Sequence, residues 1–294
     1  MNPLDLLLDP LSYDFMVRAL LTALIASTVG ALLSCWLVLI GWSLMGDAVS
    51  HAVLPGVVLA YAVGAPYALG AVIFGLLAVG LIGGVRDTSR IKEDAAIGIV
   101  FTTLFSLGLV LISVIPSHTD LGHILFGNLL GVSWADFAQL SVLGIIVFGV
   151  LIAKRRDFTL FAFDPTHAHA IGLNPRLIGA TLLGLLALTA VVGLQAVGVI
   201  LVVAMLIIPG ATASLLTERF GRMLLIAPAI AVVCTVVGLY ASYYLDTASG
   251  PMIVLAQGVA FVLAYLVSKR RWVRRAWRRV ARGAEDADLA ASRG

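Results

Sequence analysis

The stretch Gly46–Gly56, GDAVSHAVLPG, places an aspartate and a histidine four residues apart at the mouth of a long apolar run. Around it the chain is 61% hydrophobic and only 12% charged over 294 residues, with a mean hydropathy of +1.07. A soluble domain carries roughly 25% charged residues, so this composition excludes an ordinary soluble enzyme. A run of about 20 apolar residues crosses a bilayer core, and the chain holds several. It reads as an all-α, polytopic membrane protein. An aspartate and a histidine inside such a protein are costly unless they are paired, hydrated or used.

Polar breaks and Pro/Gly punctuation divide the chain into about nine candidate spans, with eight as the alternative count. They are 16–40, 48–64, 66–85, 94–115, 134–153, 175–194, 195–217, 222–244 and 251–268. The short breaks at 64–67 and 193–198 leave room for merging, and 116–133 reads as a loop with a short or re-entrant helix. Glu93 and Asp94 are expected to cap the span that follows them. Residues 1–15 form an extracytoplasmic segment, 16–268 the membrane domain, and 269–294 a cytoplasmic tail. No basic stretch precedes the first span and no cleavage site follows it, so that span is expected to be retained.

Lys and Arg collect in alternate breaks: Arg86, Arg90 and Lys92, then Lys154, Arg155, Arg156 and Arg176, then Arg219 and Arg222. The intervening breaks carry none, which sets the N-terminus outside and the C-terminus in the cytoplasm. Arg18 alone falls outside the scheme. In the tail, Trp272, Val273, Ala276, Trp277 and Val280 share one helical face with arginines opposite, a pattern that lies on an anionic leaflet. The net charge of +3 is thus membrane-anchoring, and no nucleic-acid partner is expected. Cys35 and Cys234 fall inside apolar runs and read as small core residues rather than a disulfide.

Residues four apart on a helix share a face, so Asp47 and His51 can meet on one divalent ion. A carboxylate oxygen with an imidazole nitrogen suits manganese, ferrous iron or zinc better than copper(I). The alternative is that Asp47 caps the second span after Gly46 while His51 pairs with it inside the bundle. Both readings stand on spacing alone.

Phe163–Pro175, FDPTHAHAIGLNP, carries a complete helix signal. Asp164 fits the N-cap, Pro165 the first helical position and Gly172 the stop, after which Asn174 and Pro175 start the next span. A short helix between two breaks suits docking of a cytosolic partner; a plain connector is the alternative. His167 and His169 point to different faces and are not expected to share a metal. Pro209 and Gly210 predict a kink or an unwound turn in mid-span. His118, Asp120 and His123 read either as plain loop residues or as an external metal relay, with the plain reading preferred. No phosphate-binding loop and no hydrolase signature is present, so no catalytic residue and no resident cofactor is expected.

Five stretches in this order, SLMGDAVSHAVLPGVVLAY, KEDAAIGIVFT, HILFGNLLGV, FDPTHAHAIGLN and VGVILVVAMLIIPGATASLL, resemble the permease subunits of ABC importers for manganese, zinc and iron. The likeness runs from about residue 11 to 268. It implies a type II ABC-importer-like permease fold in a bacterial cytoplasmic membrane. It further implies a homodimer, two cytosolic ATP-binding subunits and an external metal-binding protein. Asp47 and His51 match the family's ion-contacting pair. Asp164, Pro165, Ala168, Ala170 and Gly172 match the helix that couples to the ATPase. The 118–123 loop looks more like manganese or manganese/iron members than zinc ones. A zinc or metal-chelate permease of the same architecture, and a stand-alone secondary cation transporter, are the rival readings.

Overall fold

The computed structural model describes residues 8–115 and 129–269. Among these residues every regular element is helical. The long helices are α1 (Asp14–Ile40), α2 (Ser43–Ala52), α3 (Leu54–Ala62), α4 (Tyr67–Thr88), α5 (Glu93–Val114) and α6 (Trp134–Ala153). Two short helices follow, α7 (Arg155–Phe163) and α8 (Pro165–Ala170), and then α9 (Pro175–Val197), α10 (Val199–Leu216) and α11 (Phe220–Leu245). The last is α12, Ser249–Lys269. Seven segments are long and apolar enough to cross a membrane, α2 and α3 counting as one. The apolar stretches Pro175–Ala190 and Leu201–Leu216 of α9 and α10 are shorter.

Two spans form the interior. In α1 67% of the apolar window is buried and in α2–α3 72%, against 22–28% in α4, α5, α6 and α12. The outer helices keep Leu, Ile and Val on their free faces, for example Leu69, Ile145 and Leu255, as a lipid-facing surface requires. The central α1 packs against α10, α11, α6 and α9. Close approach in lipid depends on small residues. At the α3–α4 crossing, a Cβ on Gly56 would fall on the carbonyl oxygen of Gly70, and one on Gly70 would fall on that of Gly56.

Helix ends follow local chemistry. Gly41 closes α1 in the left-handed region (φ 87°) and returns its N–H to the Leu37 carbonyl at 3.0 Å. Gly198 (φ 79°) separates α9 from α10, three residues later than the sequence boundary. Ser133 and Asp136 form a reciprocal capping box at the start of α6. Three expectations change. Lys92, not Glu93 or Asp94, occupies the N-cap of α5 and makes no side-chain cap, and the two acidic residues fall in the first turn. Pro209 does not unwind α10, which stays helical through it. The α6–α9 connection, expected to hold one short helix, holds two. Cys35 and Cys234 are free and buried, as expected.

Candidate functional site

Asp47 lies inside α2, four residues beyond its start at Ser43, so it does not cap a span that begins after Gly46. At 1.5 Å per residue, Asp47 and His51 stand roughly 6 and 12 Å into a two-helix span about 30 Å long. One turn after the histidine, Pro55 offers no N–H to the His51 carbonyl, and α2 gives way to α3 at Val53. The pair therefore sits just before a natural discontinuity in an interior span.

His51 Nδ1 is 3.0 Å from the main-chain oxygen of Asp47 and 3.3 Å from its Oδ1. Both neighbours are acceptors, so Nδ1 carries the proton and donates. That fixes the tautomer and leaves the Nε2 lone pair for another partner. Phe101 and Phe105, one turn apart on α5, set their rings nearly edge-on against the imidazole, with centroids 5.2 and 5.4 Å away. The side chains of His51 and Asp47 remain 24% and 38% exposed, so neither is sealed in the core. Among the described residues no group of three or more His, Cys, Asp or Glu could hold a metal ion. Among the described residues, Asp47 and His51 thus form a two-donor pair.

The second candidate, α8, is built as the sequence expects. Asp164 caps it by accepting the His167 N–H at 2.9 Å, and Pro165 occupies the first turn. Gly172 (φ 89°) and Leu173 close it with N–H donations to the His169 and Ala168 carbonyls at 3.0 and 3.1 Å. Asn174 then caps α9 through Arg176 and Leu177. Ala168 is the buried anchor of α8, while Ala170 and Gly172 lie exposed beside it. A groove of about 520 Å³ runs along its end, lined by His169, Gly172, Leu173, Asn174, Pro175 and Arg176. Phe163, Ile171 and Leu177 stand 57–65% exposed around this connection.

A family model, the ABC 3 transport family, matches residues 12–268. The chain belongs to that family. The manganese transport system membrane protein MntB of Synechocystis sp. is 50% identical over 260 residues, covering 88% of this chain and 85% of the relative. The chelated iron transport system membrane protein YfeD of Yersinia pestis is 48% identical, with 89% and 88% covered. A solved complex of PsaBC from Streptococcus pneumoniae with Fab superposes with a TM-score of 0.82 at 38% identity, covering 88% of this chain and 94% of that one. This chain is thus a multi-span membrane permease of the ABC 3 family.

The structure brings Asp47 and His51 together and places Gly210 one helix away, on α10. The side chain of Leu206, one turn before Gly210, rests 3.4 Å from where a Cβ on Gly46 would stand. Residues 164–172 form a separate feature. His118, Asp120, His123 and the tail beyond 269 lie outside the described residues.

Sequence reasoning missed three things in this ABC 3 member. Phe101 and Phe105 look like any lipid-span aromatics until the fold sets them on His51. Helix α7 had a readable signal: Phe158 and Phe161 share a face opposite Arg155 and Arg156. That face ties α7 to α1 by a fully buried Trp36, whose ring meets Phe158 at 6.0 Å and whose Nε1–H donates to Thr159 Oγ1 at 3.2 Å. The third is Ser34, described below.

Proposed function

We propose that this chain is the membrane permease of an ATP-driven importer of a bare divalent metal ion, manganese first and ferrous iron second. Asp47 and His51 contact the ion in transit. The observation that carries the reading is the arrangement of His51: its Nδ1–H is committed to Asp47, so Nε2 and a carboxylate oxygen are left for a cation. Oxygen with imidazole nitrogen suits both metals, and the relatives named for manganese and chelated iron transport point the same way.

A divalent ion of this kind takes four to six donors, and the Asp47–His51 pair supplies two. Two copies about a twofold axis supply four, so the working unit is a homodimer with the pair near its axis. Helix α8 docks into a cytosolic ATP-binding subunit: it is locally rigid, flanked by exposed apolar side chains, and joined to α1 through α7 and Trp36. ATP hydrolysis belongs to that partner. An external metal-binding protein delivers the ion, and α7, α8 and the C-terminus face the cytoplasm of a bacterium.

Closure of the ATPase pair moves α8, and α7 passes the displacement to the buried end of α1. The ion pathway beside α2 opens to one side at a time. The test is elemental analysis of cells with and without the chain, and with Asp47→Ala or His51→Ala. Cellular manganese is expected to fall to the background level in both variants while the complex still assembles. Normal accumulation in both would remove the pathway assignment.

A further inference from the structure

Ser34, on α1, is completely buried. Its Oγ accepts the Gly210 N–H at 3.0 Å and lies 3.3 Å from the Ile207 carbonyl, to which it donates. It thereby enters the backbone of α10 at its weakest turn, because Pro209 has no N–H to return to the Met205 carbonyl. Gly30, one turn earlier on the same face of α1, lies against that residue: a Cβ there would stand 3.3 Å from Met205 Cβ and 3.5 Å from its carbonyl oxygen. Gly210 has no room for a side chain either, since its Cβ would meet the Ser34 carbonyl oxygen at 2.7 Å. At this level α1 and α10 touch backbone to backbone.

Two further contacts give the turn its reach. Leu206, inside it, packs on Gly46, the residue before Asp47. Trp36, two residues beyond Ser34, is the anchor of α7. A helix with a missing hydrogen bond bends easily, and a hydroxyl inserted into the ladder selects one bend. We propose that Ser34 is a positioning residue: it pins the Pro209 turn of α10 to α1 and, through Leu206 against Gly46, sets where α2 presents Asp47 and His51. The transport consequence rests on the metal-pathway reading above; the joint itself does not.

The test uses the full chain with its ATPase partner in nanodiscs, read by backbone hydrogen exchange and by manganese uptake. Ser34→Ala is expected to speed exchange in 201–216 about tenfold, to spread the change to 43–52, and to cut the maximal uptake rate about tenfold. Adding Pro209→Ala restores a backbone donor to α10, so protection of 201–216 returns, yet the turn is no longer pinned to α1 and uptake stays low. If Ser34→Ala does not assemble, Ser34→Cys, with a weaker donor and acceptor, is expected to give intermediate values of both readouts. Unchanged exchange in 43–52 overturns the proposal, and so does uptake that recovers together with protection in the double variant. A wild-type complex that moves no manganese removes the functional reading alone, and exchange in 43–52 still decides the joint.

Discussion

The Asp47–His51 pair and the α8 connection are two polar interruptions of an apolar molecule, and they are built in opposite ways. Around α8 the polar groups are satisfied by the neighbouring backbone: Asp164, Asn174 and the carbonyls that take the Gly172 and Leu173 N–H groups. Large apolar side chains, Phe163, Ile171 and Leu177, face outward there beside the exposed His167 and His169. At the pair, the apolar groups come from elsewhere in the fold, the Phe101 and Phe105 rings, and what is left facing outward is polar. The first arrangement suits a rigid knob for a protein partner. The second suits a small cation that must be held briefly and released. On the proposed function, one chain separates the place where force enters from the place where cargo passes, with α1 between them.

The comparison breaks most sharply at the pair itself. Asp47→Ala should lower manganese uptake by at least 100-fold, because one of the pair's two proposed donors is gone, while ATP hydrolysis by the assembled complex persists. Next comes Gly172→Val. A β-branched residue at φ 89° costs about 1–2 kcal/mol and loosens the end of α8. Uptake should drop about tenfold with the metal KM unchanged, the reverse of a defect in ion contact. Phe105→Leu is milder: it frees the His51 ring without removing a ligand, so KM for manganese should rise about threefold at constant maximal rate. The smallest effect is expected of His167→Ala with His169→Ala, since those imidazoles lie on the docking side; uptake at saturating metal should stay within about twofold. A metal requirement that follows His167 and His169 instead of His51 would exchange the roles of the two regions.

Much of α8 could be read from sequence because Asp164, Pro165, Gly172 and Asn174 act on backbone groups within a few residues of themselves. The spans were legible for a similar reason: hydropathy and Pro/Gly punctuation act locally, and the largest shifts are the start of the second span, at Ser43 rather than 48, and the α9–α10 break, three residues later. The surroundings of the pair were not legible. Spacing put Asp47 and His51 on one face, but the choice between cap and interior turned on where α2 starts. Gly46, which looks like a helix boundary, is instead a small residue under Leu206. Ser34 was hidden for a further reason. Thr22, Thr28, Ser50 and Thr212 all bond the carbonyl four residues back in their own helices, as hydroxyls in membrane helices commonly do. Nothing in the sequence marks Ser34 as the one that reaches across to another helix.

The central claim is that an imidazole nitrogen of His51 touches the transported ion. Electron spin-echo spectroscopy of manganese added to the assembled complex in nanodiscs reads nitrogen ligation directly. The account predicts a nitrogen modulation in the wild-type spectrum that disappears in His51→Ala and survives in His167→Ala with His169→Ala. Modulation of full depth in the His51→Ala complex would contradict it.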